Sequence, residues 1–149
     1  MVILEDVRQL DEALIEELLH VWERSARATH HFLTEQDIVA LRPDVRQGFA
    51  LVDLTLVRED GVILGFSGVC GDSLEMLFVD AHAKGRGLGR SLLLQAMARG
   101  ITRLDVNEQN SQAFYFYEHM GFNIIGRSDT DNQGRAFPLL HMELSSERN

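Results

Sequence analysis

The chain has 149 residues, 45% hydrophobic and 25% charged, with a formal net charge of −9. That size and composition suit one ordinary domain, 1–149, burying roughly 68% of its unfolded surface, and the negative balance argues against nonspecific binding to nucleic acid or anionic lipid. The single Cys70 excludes an internal disulfide and reads as a small core hydrophobe, no apolar run nears the roughly 18 residues of a membrane span, and Glu5 and Asp6 come too early for a signal peptide, so the chain reads as cytoplasmic.

Residues 2–4 form a short apolar run suited to a first or edge strand. Leu14, Ile15, Leu18, Leu19, Trp22 and Ala26 recur at helical spacing and predict an amphipathic helix from 11 to about 28. Thr34 with Asp37 resembles a capping box; it opens a short second helix ending near Arg42, since the residue before Pro43 resists helical angles. Val52, Leu54 and Leu56 alternate with Asp53 and Thr55 as in a strand. Asp60-Gly61 is a hairpin turn into a strand over 62–69, and Gly71-Asp72 turns into a third over 74–79, completing an antiparallel meander. Residues 88–98 read as a helix closed by Gly100. They are followed by a strand over 101–106, a helix over 111–120 stopped by Gly121, a strand over 122–125, a polar turn over 129–134 and a last strand over 137–144. No repeat, low-complexity tract or linker interrupts this order.

Charge is distributed unevenly. Between 81 and 104 stand Lys84, Arg86, Arg90, Arg99 and Arg103 with no acidic residue, so that stretch carries +5 and the remainder −14. This is either one local anion site or a set of solvated helix ends and turns. Within it, Lys84-Gly85-Arg86-Gly87-Leu88-Gly89-Arg90 follows a strand and opens a helix, a place where backbone N–H groups and the helix dipole can meet a phosphate. The P-loop pattern is not met, because the glycines before Gly89-Arg90-Ser91 stand at the wrong interval. The dinucleotide fingerprint fits at Gly85 and Gly87, with Asp105 20 residues beyond Gly85, and fails at Arg90, where its third glycine belongs.

What remains, a basic residue, two spacers, Gly87, one spacer and Gly89, resembles the pyrophosphate loop of the GCN5-related N-acetyltransferases, the GNAT family. Asn110-Ser111-Gln112-Ala113, Phe116-Tyr117-Glu118 and Gly121-Phe122 are similar to the family's second signature, and Thr29-His30-His31-Phe32-Leu33 with Pro138-Leu139-Leu140 resembles small bacterial members described as peptidyl-lysine acetyltransferases. Lys84 departs from the family's usual Arg or Gln, and lysine serves a phosphate only as a point charge. The resemblance implies the α/β GNAT fold, a mixed, mostly antiparallel sheet flanked by about four helices. It also implies acetyl transfer from acetyl-CoA to a primary amine, a protein lysine or a small amine, by direct attack in a ternary complex without a metal. A chain that had kept the loop but lost the chemistry would be a silent acyl-CoA sensor; the presence of Tyr117 argues against that.

Carried over residue by residue, the resemblance places pyrophosphate on Lys84, Gly85, Arg86, Gly87, Leu88, Gly89 and Arg90, and the pantetheine arm on Leu77, Phe78 and Val79, with Asn110 and Tyr117 also at the cofactor. An arm with two amides can pair with such a strand as an added strand does. Tyr117 corresponds to the general acid toward the departing thiolate; read alone, it is a core aromatic. Asp105 stands where some members place a base and Glu75 is its rival, while capping and solvent exposure are the plainer readings of the two. His30, His31 and Trp22 belong to the acceptor mouth, with a solvated loop as the alternative for the histidines.

Overall fold

The computed structural model describes residues 2–29 and 31–145. Its strands and helices fall into two compact units, Met1–Ile101 and Thr102–Asn149.

The first unit contains β1 (Val2–Asp6), α1 (Glu12–Thr29), α2 (Glu35–Gly48), β2 (Asp53–Glu59), β3 (Val62–Cys70), β4 (Ser73–Val79) and α3 (Leu88–Ala98). The four strands pair in chain order, each antiparallel to the next, so the expected meander forms with β1 as its exposed edge. Strand alternation then sorts the side chains. Leu54, Leu56, Ile63 and Phe66 enter a core with Leu18, Leu19 and Trp22 of α1 and Ile38 of α2. Val57, on the opposite face, packs with Ala83 and with Leu88 and Leu92 of α3. Two helices thus cover one face of this sheet and α3 the other, each fully buried aliphatic side chain contributing about 1.5–3 kcal/mol.

Three expectations are corrected. Helix α2 does not end at Arg42 but continues through Pro43 to Gly48. An interior proline costs a helix about 3 kcal/mol. Here Leu41 and Val45 pack on the core on either side of it, while Arg42 reaches Glu16 and Glu23 and Arg46 reaches Glu12 of α1. Tertiary packing outweighs the local penalty. Cys70 is exposed, because it pairs with Ser73 at the hairpin end, where no layer covers the strand. Ile101 does not begin the next strand. Its N–H bonds the Ala96 carbonyl while that of Gly100 bonds Met97, a Schellman closure of α3.

The second unit contains β5 (Arg103–Asn107), α4 (Ser111–His119), β6 (Phe122–Ser128) and β7 (Leu139–Leu144). Strand β7 lies between β5 and β6 and is antiparallel to both. Leu104, Val106, Phe122 and Met142 are buried, and Tyr117 of α4 packs edge-on against Phe122 with ring centroids 6.2 Å apart. Arg103 and Asp105, alternating with the buried Leu104 and Val106 of β5, are exposed and point to the opposite face.

One close approach positions the end of β4. A Cβ on Gly65 of β3 would lie 2.8 Å from the Phe78 carbonyl oxygen and 3.3 Å from the Val79 Cα, both backbone atoms that cannot swing aside. Gly65→Ala is therefore expected to lower the urea midpoint by an amount equivalent to about 1–3 kcal/mol, and to weaken any ligand seated on the backbone of 77–79 more than Gly61→Ala does at a turn where a Cβ meets nothing.

Candidate active site

The chain leaves β4 at Asp80, and four contacts converge there. Its N–H donates to the Leu64 carbonyl of β3 at 2.7 Å. Its carboxylate accepts from the His82 N–H at 3.1 Å, capping a single 3-10 turn over Ala81–Ala83, and from Arg24 of α1 at 2.8 and 2.6 Å. Burial of Asp80 opposes ionisation. The Arg24 hydrogen bond, the His82 N–H and the nearby positive charge together prevail and hold the pKa below the usual aspartate value.

From that anchor the glycine-rich turn runs into α3. Gly87 is the helix N-cap, left-handed at φ 77° and making no side-chain cap bond, and the first intrahelical hydrogen bond is from Ser91 to Gly87. The N–H groups of Leu88 and Gly89 consequently open the helix without a capping side chain, at the positive end of its dipole. A Cβ at Gly85 or Gly87 would meet nothing within 4 Å, so the turn faces open space. These features fit a phosphate group. Partial burial lowers the pKa of Lys84.

The local charge is smaller than the sequence suggests. Arg86 forms a double hydrogen bond with Glu59 at 2.9 Å, Arg99 pairs with Asp6 at 3.5 Å, and Arg103 belongs to β5 of the second unit. Two of the five cations are thus held by carboxylates of the first unit. Backbone donors, more than summed charge, are what the turn offers an anion.

On β4, Leu77, Phe78 and Val79 pair with Ser67, Phe66 and Gly65 of β3. Phe78 turns into the core of α1 and α2, while Leu77 and Val79 pack toward α3, leaving backbone as their means of serving a ligand. The Ser67 hydroxyl, opposite Leu77, is buried with no hydrogen-bond partner. Glu75 lies where the register shifts between Gly68 and Val69, exposed and accepting from the Ser73 hydroxyl at 2.6 Å.

In the second unit Asn110 caps α4, its Oδ1 accepting from the Ala113 N–H at 3.1 Å. Tyr117 is buried, and burial raises its pKa far above the ordinary tyrosine value, so the phenol stays in its proton-donating form. Asp105 does not cap the following helix. Its Oδ1 lies 2.6 Å from His141 Nδ1, and His141 Nε2 lies 2.6 Å from Ser128 Oγ. Trp22 is a core side chain, 4% exposed, and not part of an open mouth; the helical stripe that predicted α1 already carried that outcome. His31 is exposed in the turn between α1 and α2, and His30 lies outside the described residues. The sequence reading missed Arg24, Asp80, Glu59, Ser128 and His141. An aspartate just after a strand and two residues before an N–H it can cap is a legible signal for Asp80; the others depend on register.

A family model described as "Acetyltransferase (GNAT) domain" matches residues 52–124. The peptidyl-lysine N-acetyltransferase YjaB of Escherichia coli (strain K12) is 39% identical over 130 residues, which cover 85% of this chain and 88% of that protein. Its counterpart in Salmonella typhimurium is 37% identical over 130 residues, covering 85% and 89%. The solution structure of apo-form YjaB from Escherichia coli matches with a TM-score of 0.86 and 31% identity over 99% of both chains. The expected fold is the fold of these proteins.

Removing Arg24 leaves a buried carboxylate without its cation. Because Arg24 itself is 43% exposed, Arg24→Ala is expected to cost about 1–2 kcal/mol rather than the larger penalty of a fully buried pair. Since the folded-state pKa of Asp80 is lowered, the stabilisation is complete above the unfolded value of about 3.9 and is lost as pH falls through the folded value. The difference in melting temperature between wild type and Arg24→Ala should be full at neutral pH and shrink below about pH 4.

Proposed function

The chain belongs to the GNAT family of acetyl-CoA-dependent N-acetyltransferases, and from that premise we propose that its acceptor is a lysine side chain of a protein or peptide. The observation that carries this reading is the 37–39% identity to enzymes named peptidyl-lysine N-acetyltransferases over 88–89% of their length. Charge is compatible with it. Outside 81–104 the chain carries −14, and an acidic surface draws cationic acceptors from a distance. Acetyl-CoA as donor suits a cytoplasmic enzyme.

In this reading the backbone from Arg86 to Arg90, with Gly85, receives the pyrophosphate at the start of α3, and Lys84 adds a point charge. The backbone of Leu77, Phe78 and Val79 pairs with the amides of the pantetheine arm, and an N–H of the same segment is available to the thioester oxygen, where one well-placed donor is worth roughly 2.7–4 kcal/mol in the transition state. Asn110 holds the start of α4 and so the place of Tyr117. The amine attacks the thioester carbon directly with both substrates bound. The C–N bond forms, the C–S bond breaks, and the Tyr117 hydroxyl supplies a proton to the leaving sulfur. His31 lines the acceptor side.

Acetyl-CoA at 100 times its Kd should stabilise the chain by about 2.7 kcal/mol, roughly 5–10 °C in Tm at this size. Gly87→Glu should abolish that shift, while Gly87→Ala, which carries the same left-handed backbone strain of about 1–2 kcal/mol without the charge, should retain most of it. Tyr117→Phe should lower kcat by about 10²–10⁴ with the acetyl-CoA shift intact. An unchanged kcat in a folded variant removes Tyr117 from this role.

A coenzyme A release assay against lysine peptides, protein N-termini, polyamines and aminoglycosides tests the acceptor. Lysine peptides should give the highest kcat/KM, and at saturating acetyl-CoA that value should fall as the Debye length shrinks from roughly 30 Å at 0.01 M salt to about 10 Å at 0.1 M. Preference for a small amine, indifferent to salt, overturns the peptide reading and leaves the acetyltransferase standing.

A further inference from the structure

Resting on that reading, we propose that Lys84 is itself an acetyl acceptor: a second copy of this chain transfers an acetyl group to it, and the modified turn holds acetyl-CoA less tightly. The first observation is in the sequence. Lys84 is the one lysine among the 14 Lys and Arg residues of the chain, all the others being arginine. A guanidinium keeps its charge and does not attack a thioester, whereas an ammonium can give up a proton and become a nucleophile. Every other cation of the chain is therefore inert to acetyl transfer. A general preference for arginine accounts for the others and leaves the exception unexplained. That exception stands at the start of the phosphate turn, where the planar fork of arginine would serve an anion better than a point charge does.

The second observation is how the structure presents this amine. Lys84 closes the 3-10 turn over Ala81–Ala83 with extended backbone, φ −68° and ψ 154°, and the residues from Lys84 to Gly87 are exposed. Its chain neighbours are Ala83 and Gly85, and a Cβ at Gly85 would meet nothing within 4 Å. The lysine thus stands on an extended, uncrowded stretch, the form in which a peptide offers a lysine to an enzyme. Among the described residues no carboxylate holds it, in contrast to Arg86 and Arg99. The partial burial that lowers its pKa enlarges the neutral fraction of the amine. Charge favours the encounter as well. Residues 81–104 carry +5 and the remainder of the chain −14, so the stretch around Lys84 is the cationic segment that an acidic second copy draws.

The transfer runs between copies. In the binding mode proposed above, the pyrophosphate of a chain's own acetyl-CoA meets Lys84 while the thioester lies at the backbone of 77–79, a pantetheine arm away. Phosphate beside Lys84 also pairs with the ammonium and holds it protonated, so the acceptor is a copy that carries no acetyl-CoA. Its amine, having given one proton to solvent, attacks the thioester carbon of acetyl-CoA on the other copy. The N–C bond forms, the C–S bond breaks, the nitrogen loses a second proton as the amide appears, and the sulfur takes a proton and leaves as the coenzyme A thiol. The product is a neutral amide where a charge met phosphate, while the backbone donors of Leu88 and Gly89 remain.

The test incubates the full chain with acetyl-CoA and no other acceptor, follows intact mass, and maps the acetylated position by peptide mass spectrometry. Wild type should gain an acetyl group on Lys84 at a rate per chain that rises with protein concentration, and K84R should lose that gain. A tagged Y117F chain, first shown to be slow on a lysine peptide, should be modified at Lys84 when untagged wild type is added and about 10²–10⁴ more slowly alone. The purified acetylated chain should bind acetyl-CoA with a Kd about two- to fivefold higher than unmodified wild type, as loss of one exposed charge contact gives. The proposal is overturned by a wild type that acetylates lysine peptides and leaves Lys84 unmodified, by a rate per chain that ignores protein concentration, by a slow Y117F chain modified as fast alone as with wild type, or by an acetylated chain of unchanged Kd. A wild type that acetylates neither itself nor a lysine peptide overturns the peptidyl-lysine reading and this proposal together.

Discussion

The contact on which the first unit's functional geometry rests is the buried carboxylate of Asp80 held by Arg24. It fastens the exit of β4 to α1, while the same residue bonds the Leu64 carbonyl and the His82 N–H. Everything that follows along the chain, the glycine-rich turn and the first turn of α3, takes its starting direction from that point. Burial alone would drive this carboxyl toward its neutral form. The guanidinium keeps it charged, and a charged acceptor makes the stronger hydrogen bonds to backbone N–H groups. One ion pair of modest net worth can still decide geometry, because its loss strands a charge.

The glycine-rich turn offers an anion mainly backbone. Of the five cations in sequence, Arg86 and Arg99 are held by Glu59 and Asp6. What the turn retains is backbone: a left-handed Gly87, a helix start without a side-chain cap, and open space where Cβ atoms would stand. A Cβ at Gly85 or Gly87 would stand in open space, so glycine is required there for the left-handed backbone and not for want of room. Lys84 at the start of the turn presents a point charge without the fork of a guanidinium, and the backbone donors do not depend on it.

The second unit shows the complementary case, in which side chains from distant points in the chain assemble one array. Its polar face is written by strand alternation. Leu104 and Val106 go inward, Asp105 outward, and the antiparallel register of β7 then sets His141 beside Asp105 and across from Gly126. Tyr117 sits among the buried side chains of the other face. Burial keeps the Tyr117 phenol protonated.

Composition, period and turn chemistry were sufficient for most of the fold. The Thr34–Asp37 capping box, the Asp60-Gly61 and Gly71-Asp72 turns, the meander and the opening of α3 after Gly87 are all local, and local rules predict them. The glycine spacing and the Asn110 to Phe122 signature were equally legible, since each depends on contiguous residues. The tertiary structure decided what no window of sequence contains. Helix α2 passes Pro43 because Arg42 and Arg46 meet acidic residues of α1. Arg86 turns to Glu59, 27 positions away. Trp22 is core because two sheet positions, Leu54 and Phe66, lie in the layer it packs into. Asp105 is joined to His141, 36 positions away, because β7 inserts between β5 and β6 in one register, and a shift of one residue would send His141 to the opposite face. Short-range rules fix conformation residue by residue, while charge pairing and strand register depend on which distant segments meet, and only the folded chain brings those together.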